Sequence, residues 1–165
     1  LRVDSIRGNV QTRLSKLDGG EFDAIVLAQA GLSRLGLARS DAYPFSVAQC
    51  LPAPGQGALG IEIVTDSPVQ ALLETLIDKD VARCVEAERG ISAGLGADCA
   101  LPVAAHAELT TNGEIHLRAL VAQADGSRVL RAEGHGAEPG PLAQRLVEQL
   151  LSQGADSILA NARHV

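Results

Sequence analysis

Two short turns, Thr111-Asn112-Gly113 and Ala124-Asp125-Gly126, lie one strand's length apart and constrain the chain more than any other feature. Asn-Gly and Asp-Gly supply the positive φ angles that tight hairpins need, so each turn demands antiparallel strands on either side. The flanking runs Leu101–Leu109, Glu114–Ala122 and Ser127–Gly134 have that character. In the middle run Ile115, Leu117, Ala119 and Val121 recur at every second position, the pattern of a half-buried strand. An amphipathic helix is expected next, over about 140–153, with Leu142, Leu146, Val147, Leu150 and Leu151 on its buried side. Upstream, helices are expected at about 68–78 and 80–93, the second ending in Gly94-Leu95-Gly96. Helices and a three-stranded antiparallel sheet make a small α+β domain over 66–165.

The first fifty residues have a different rhythm. Leu1-Arg2-Val3 reads as the end of a strand, and Ile6-Arg7-Gly8-Asn9 as a loop. A helix from about Val10 to Leu17 follows, capped by Asn9 and stopped by Asp18-Gly19-Gly20. Asp23–Ala28 is a short apolar run, the pattern of a strand buried on both faces of a parallel sheet. A second short helix is expected at about Gly31–Leu35. Strand, helix, strand, helix is the rhythm of an α/β domain. Leu51–Gly60 then holds two prolines and three glycines, which marks a connection, and 52–57 a natural hinge. Ile61–Val64 reads as a short strand and Thr65-Asp66-Ser67-Pro68 as a helix start.

Composition narrows the function. Apolar residues make up 46% and charged residues 21%, which excludes a disordered chain. No apolar run approaches the ~18 residues of a membrane span, and no signal-peptide pattern opens the sequence. The net charge of −6 argues against nucleic acid as the main partner. Residues 1–40 carry six basic and four acidic groups, and the remainder carries eight and sixteen. Three cysteines without a CxxC pair point to a reducing compartment, and no histidine has metal-ligand spacing with them. Methionine is absent, which suggests a processed product or a fragment.

Two places could carry chemistry. Arg7-Gly8-Asn9 precedes a helix N-terminus, where free N–H groups and the helix dipole favour an anion. Arg13 on the same helix and Arg34 on the next add to that field, and Arg suits bidentate carboxylate contacts. Nothing there supplies a general acid or base, so this segment is a clamp. Cys99 follows the glycine-bearing loop 94–98, where a thiol is accessible for a covalent link, although Asp98 opposes thiolate formation. Cys84 falls mid-helix and reads as packing, and Cys50 is ambiguous.

At these residues the sequence resembles the porphobilinogen deaminases, also called hydroxymethylbilane synthases. The resemblance is carried, in family order, by Arg7-Gly8-Asn9-Val10-Gln11-Thr12-Arg13-Leu14, Phe22-Asp23-Ala24-Ile25, Ala30-Gly31-Leu32-Ser33-Arg34-Leu35-Gly36 and Leu51-Pro52-Ala53-Pro54-Gly55-Gln56-Gly57-Ala58. Glu86-Ala87-Glu88-Arg89 and Cys99-Ala100-Leu101-Pro102-Val103 continue it. It implies the C-terminal part of the family's protein. Residues 1–53 would be the latter part of a periplasmic-binding-protein-like second domain and 54–65 a crossover and strand of the first domain. Residues 66–165 would be a third, cofactor-attachment domain.

The resemblance also implies a cytoplasmic transferase of tetrapyrrole (haem) biosynthesis, monomeric in full-length form. It would join four porphobilinogen molecules, with release of ammonia, into hydroxymethylbilane. The polypyrrole grows on a dipyrromethane cofactor, thioether-linked to the cysteine that matches Cys99. Arg7, Arg13 and Arg34 match arginines that bind pyrrole carboxylates, and Ala28, Gly31 and Gln56 match further cofactor contacts. The family's usual neighbour at Asp98 is glycine. Its catalytic aspartate belongs to the first domain, so no catalytic residue is expected in this chain, and the chain alone should be inactive. No metal, nucleic-acid or membrane partner is implied. Two other readings compete: a non-enzymatic anion-binding module of periplasmic-binding type, and a purely structural domain. The first predicts no adduct on Cys99, and the second that the arginines are only surface and that Cys99→Ser changes nothing.

Overall fold

The computed structural model describes residues 1–97 and 101–162. It divides into two compact units, Leu1–Pro44 and Phe45–Val165.

In the larger unit the hairpin turns do what their residues require. β1 (Val103–Leu109), β2 (Ile115–Ala122) and β3 (Val129–Gly136) form one antiparallel meander in the order β1-β2-β3. Ala105 pairs with Ala119 and Ala119 with Ala132, and Gly113 and Gly126 sit at φ 80° and 71° in the turns. Ile115, Leu117, Ala119 and Val121 are buried, as their alternation demands. Against that face pack α4 (Lys79–Gly94), α5 (Pro139–Ser152) and α6 (Ala155–Ala162). Asp78 caps α4 by accepting the N–H groups of Asp80 and Val81. Ile91, Leu142, Leu146, Leu150 and Ile158 complete the core. Each such side chain contributes roughly 1.5–3 kcal/mol relative to exposure. The helix α6 lies beyond the single final helix expected, separated from α5 by Gly154 at φ 94°.

Groups from elsewhere in the unit bond to both edges of the sheet. The outward N–H groups of β1 are met by the Pro52 carbonyl, 3.0 Å from Ala105 N, and by the Glu88 carboxylate, 2.8 Å from Ala107 N. On β3 the outward carbonyls of Arg131 and His135 accept from Gln153 Nε2 (3.1 Å) and Arg145 Nη2 (2.8 Å). On the sheet face away from the helices His116 and His135 stack, their centroids 4.4 Å apart, and Arg118 and His116 share Glu108.

The smaller unit departs from expectation. α1 (Val10–Asp18) and α2 (Gln29–Arg34) form, but Asp23–Ala28 is not a strand. Ile25 and Leu27 are half-buried and Val26 is 69% exposed. A strand buried on both faces needs a ladder on each side, and no described residue of 1–44 enters one. Leu1-Arg2-Val3 is likewise irregular. For the same reason Ile61–Val64, expected as a strand, is unpaired, with Ile61, Glu62 and Val64 exposed. The helix expected at 68–78 is the single turn α3 (Gln70–Glu74), because Leu72, Leu76 and Ile77 find nothing to pack on and a short helix does not hold itself. Asp66, at φ 60°, turns the chain ahead of it.

Candidate functional site

The clamp expected around Arg7 and Arg13 is built from the N-terminus of α1. Asn9 Oδ1 accepts from Thr12 N (2.8 Å) and Thr12 Oγ1 (2.9 Å), so the helix start is fixed by its cap. Gly8 precedes it at φ 117°, and a Cβ there would fall 2.9 Å from Thr12 Cγ2. Only glycine fits that bend. Arg13 Nε closes the loop by donating to the Gly8 carbonyl at 2.8 Å. This half-buried guanidinium thus braces the bend with one donor and keeps four for a ligand. Arg7 is exposed and has no hydrogen-bond or ion-pair partner among the described residues.

Gly31 brings α2 to the same end of α1. A Cβ on Gly31 would touch Val10 Cγ2 at 3.7 Å. Ala28 caps α2 through its carbonyl, which accepts from Gly31 N (3.0 Å) and Leu32 N (3.4 Å). Arg34 lies three residues on, exposed in the last turn of α2. Gly31 therefore lies beside Val10, the first residue of the helix that follows Arg7 and Gly8, with Arg34 further along the short helix. Arg39 is not part of the clamp: it grips Asp41 with two hydrogen bonds of 2.9 Å and Asp18 with one of 2.8 Å. Those carboxylates hold it firmly protonated and tie its loop to the end of α1.

Gln56 belongs to the larger unit. It is exposed on the turn Pro54–Gly57, with its N–H bonded to Ala53 O at 2.9 Å. That turn is docked by Glu88, whose Oε2 accepts from Gly55 N at 2.7 Å while Oε1 accepts from Ala107 N. Glu88 is only 6% exposed, and His106 Nδ1 stands 3.5 Å from its Oε1. Sequence reasoning assigned Glu88 no task; the available signal was a carboxylate on the apolar face of α4, one turn from Cys84 and Ile91. Cys84 is half-buried beside the core, and burial pushes its thiol up. Cys50 is exposed. Cys99 and Asp98 lie outside the described residues.

Arg7 and Arg13 flank a capped helix N-terminus, an arrangement suited to carboxylates or other small anions, in one chain with an α+β unit. The chain belongs to the porphobilinogen deaminase family. Residues 1–71 match the family model described as porphobilinogen deaminase, dipyromethane cofactor binding domain, and residues 82–152 match porphobilinogen deaminase, C-terminal domain. The first match contains Arg7, Arg13, Ala28, Gly31, Arg34 and Gln56, and the second contains Cys99. A porphobilinogen deaminase of Thiobacillus denitrificans is 49% identical over 162 residues, 96% of this chain and 53% of that protein. One of Acidithiobacillus ferrooxidans is 47% identical over 165 residues, 99% of this chain and 54% of that protein. The chain spans about half the length of the curated relatives it matches. Among the described residues no helix is long and apolar enough to cross a membrane.

The donor set fits a dipyrromethane, whose rings carry carboxylate side arms. Arg7 and Arg13 offer planar donor pairs, and the first turn of α1 offers its N–H end, all within residues 7–13.

Proposed function

We propose that this chain is the C-terminal part of a cytoplasmic, monomeric transferase. It joins four porphobilinogen molecules, with release of ammonia, into hydroxymethylbilane for tetrapyrrole synthesis. In this reading residues 1–53 belong to a periplasmic-binding-protein-like second domain, 54–65 to a crossover and strand of the first domain, and 66–165 to the cofactor-attachment domain. The dipyrromethane, linked by a thioether to Cys99, supplies the pyrrole end on which the polypyrrole grows.

One observation carries the reading: the Gly8 bend, locked by Asn9 and Arg13, beside an Arg7 that meets no partner among the described residues. A brace of this kind holds donors at fixed positions, which lowers the ordering cost of binding a carboxylate. Arg7, Arg13 and Arg34 bind and orient the carboxylate arms. Ala28, Gly31 and Gln56 supply further contacts to the cofactor. Proton transfer at the pyrrole nitrogens is left to an aspartate outside this chain, so the isolated chain is inactive.

An intact-mass measurement of the full-length enzyme tests this. A dipyrromethane-sized increment mapping to Cys99, and lost in Cys99→Ser together with activity, is expected. Active protein without that increment would sink the reading and favour a non-covalent anion binder. Turnover of porphobilinogen by the purified 165-residue chain would refute the division of labour.

A further inference from the structure

Glu88 stands apart from the arginine clamp and is the one buried charged side chain among the described residues. We propose that Glu88 is a positioning residue, fastening the Gly55-Gln56-Gly57 turn to the outer edge of β1. Gln56 is thereby carried at a fixed place on the α+β unit whose sequence also holds Cys99.

The geometry has two halves. Pro52 O takes the Ala105 N–H directly, and two residues along the strand Glu88 bridges Ala107 N to Gly55 N. Two backbone donors thus converge on one carboxylate from separate segments, at 2.8 and 2.7 Å. A carboxylate satisfies both because each of its oxygens accepts. An amide of the same shape accepts with one end and points N–H at the other donor. Burying a carboxylate costs free energy unless it is paired and hydrogen-bonded, and His106 Nδ1 at 3.5 Å adds a third polar neighbour. Covering one strand N–H needs only a carbonyl, as Pro52 demonstrates. The second bond, to Gly55, is what a positioning role adds. The inference rests on the reading that Gln56 contacts the cofactor.

The test compares wild type, Glu88→Gln, Gln56→Ala and the double variant in the full-length enzyme, with kcat counted per Cys99-loaded molecule. Glu88→Gln should lose exchange protection at the Gly55 amide. It should lower kcat on the order of tenfold, the scale of a hydrogen bond to a charged acceptor, and leave the KM for porphobilinogen unchanged. In the Gln56→Ala background the same substitution should add nothing, since it acts through Gln56. An effect that adds in full to that of Gln56→Ala, or a Gly55 amide still protected, overturns the proposal. Should Glu88→Gln fail to fold, Glu88→Asp serves: one bond shorter, it should keep Ala107 protected and release Gly55, and protection of both would overturn the proposal. A wild type lacking the Cys99 increment overturns the cofactor reading instead, and the exchange data alone then decide whether Glu88 fastens the turn.

Discussion

Gly90 of α4 lies so close to Ala143 of α5 that a Cβ on it would stand 2.6 Å from the Ala143 Cβ. Gly94, one turn on, meets Val147 Cγ2 in the same way at 2.8 Å. The two helices therefore touch along a line of small side chains, and their spacing over the sheet is set there. Substituting Gly90→Ala weighs a helix-propensity gain of about 1 kcal/mol against overpacking, typically about 1–3 kcal/mol. Because the clashing atom is a Cβ with no rotamer to change, overpacking wins. Urea unfolding should show a net loss, and adding Ala143→Gly should recover part of it.

The cap of α1 is the second lever. Asn9→Ala removes the acceptor for Thr12 N and should cost about 1 kcal/mol of helix stability. In a helix of nine residues that is enough to fray the first turn. Amide exchange at Thr12 should quicken while exchange in β2 stays unchanged. Equal quickening in both would contradict it.

Arg39 makes the smaller unit sensitive to acid. Its hydrogen bond holds the Asp41 carboxyl below the ordinary carboxylate range. A folded value lower than the unfolded one means the contribution is complete above the ordinary carboxyl pKa. It is lost as pH falls through the folded value. Below about pH 4 the 36–41 loop should loosen, and between pH 6 and 8 it should not change. In Arg39→Ala, an NMR titration should return Asp41 to the ordinary range.

Thiol chemistry should separate Cys50 from Cys84. The thiolate is the reacting form, and burial, aided by the charge of Glu88, pushes the Cys84 thiol up. Exposed Cys50 should be alkylated first at neutral pH, by peptide mapping. Faster labelling of Cys84 would mean that α4 opens readily.

The three strands, both hairpins, α4 and α5 were legible because their signals are local. Asn112-Gly113 and Asp125-Gly126 set the turns, and alternation from Ile115 to Val121 set the face. The Asn9 cap was equally local. Asp23–Ala28 and Ile61–Val64 misled because apolar β-formers become strands only where another strand completes the ladder, and that condition is not written in the segment. Glu88 escaped for a related reason: its partners lie 33 and 19 residues away, beyond any spacing rule. Arg7, Arg13 and Arg34 were singled out as candidates by type and by their place near helix starts. That Arg13 braces Gly8, and that Arg39 is spent on Asp41 and Asp18, follows from three-dimensional contacts that no residue spacing states.

A three-stranded meander offers two borders to which a stray chain could anneal. In this unit Pro52 and Glu88 occupy positions on one, and Gln153 and Arg145 occupy positions on the other. Fibril-like stacking of such sheets begins with an unclaimed border, and groups of the unit itself hold two positions on each of these. A strand arriving from another copy would have to displace these groups before it could anneal in full register along either border.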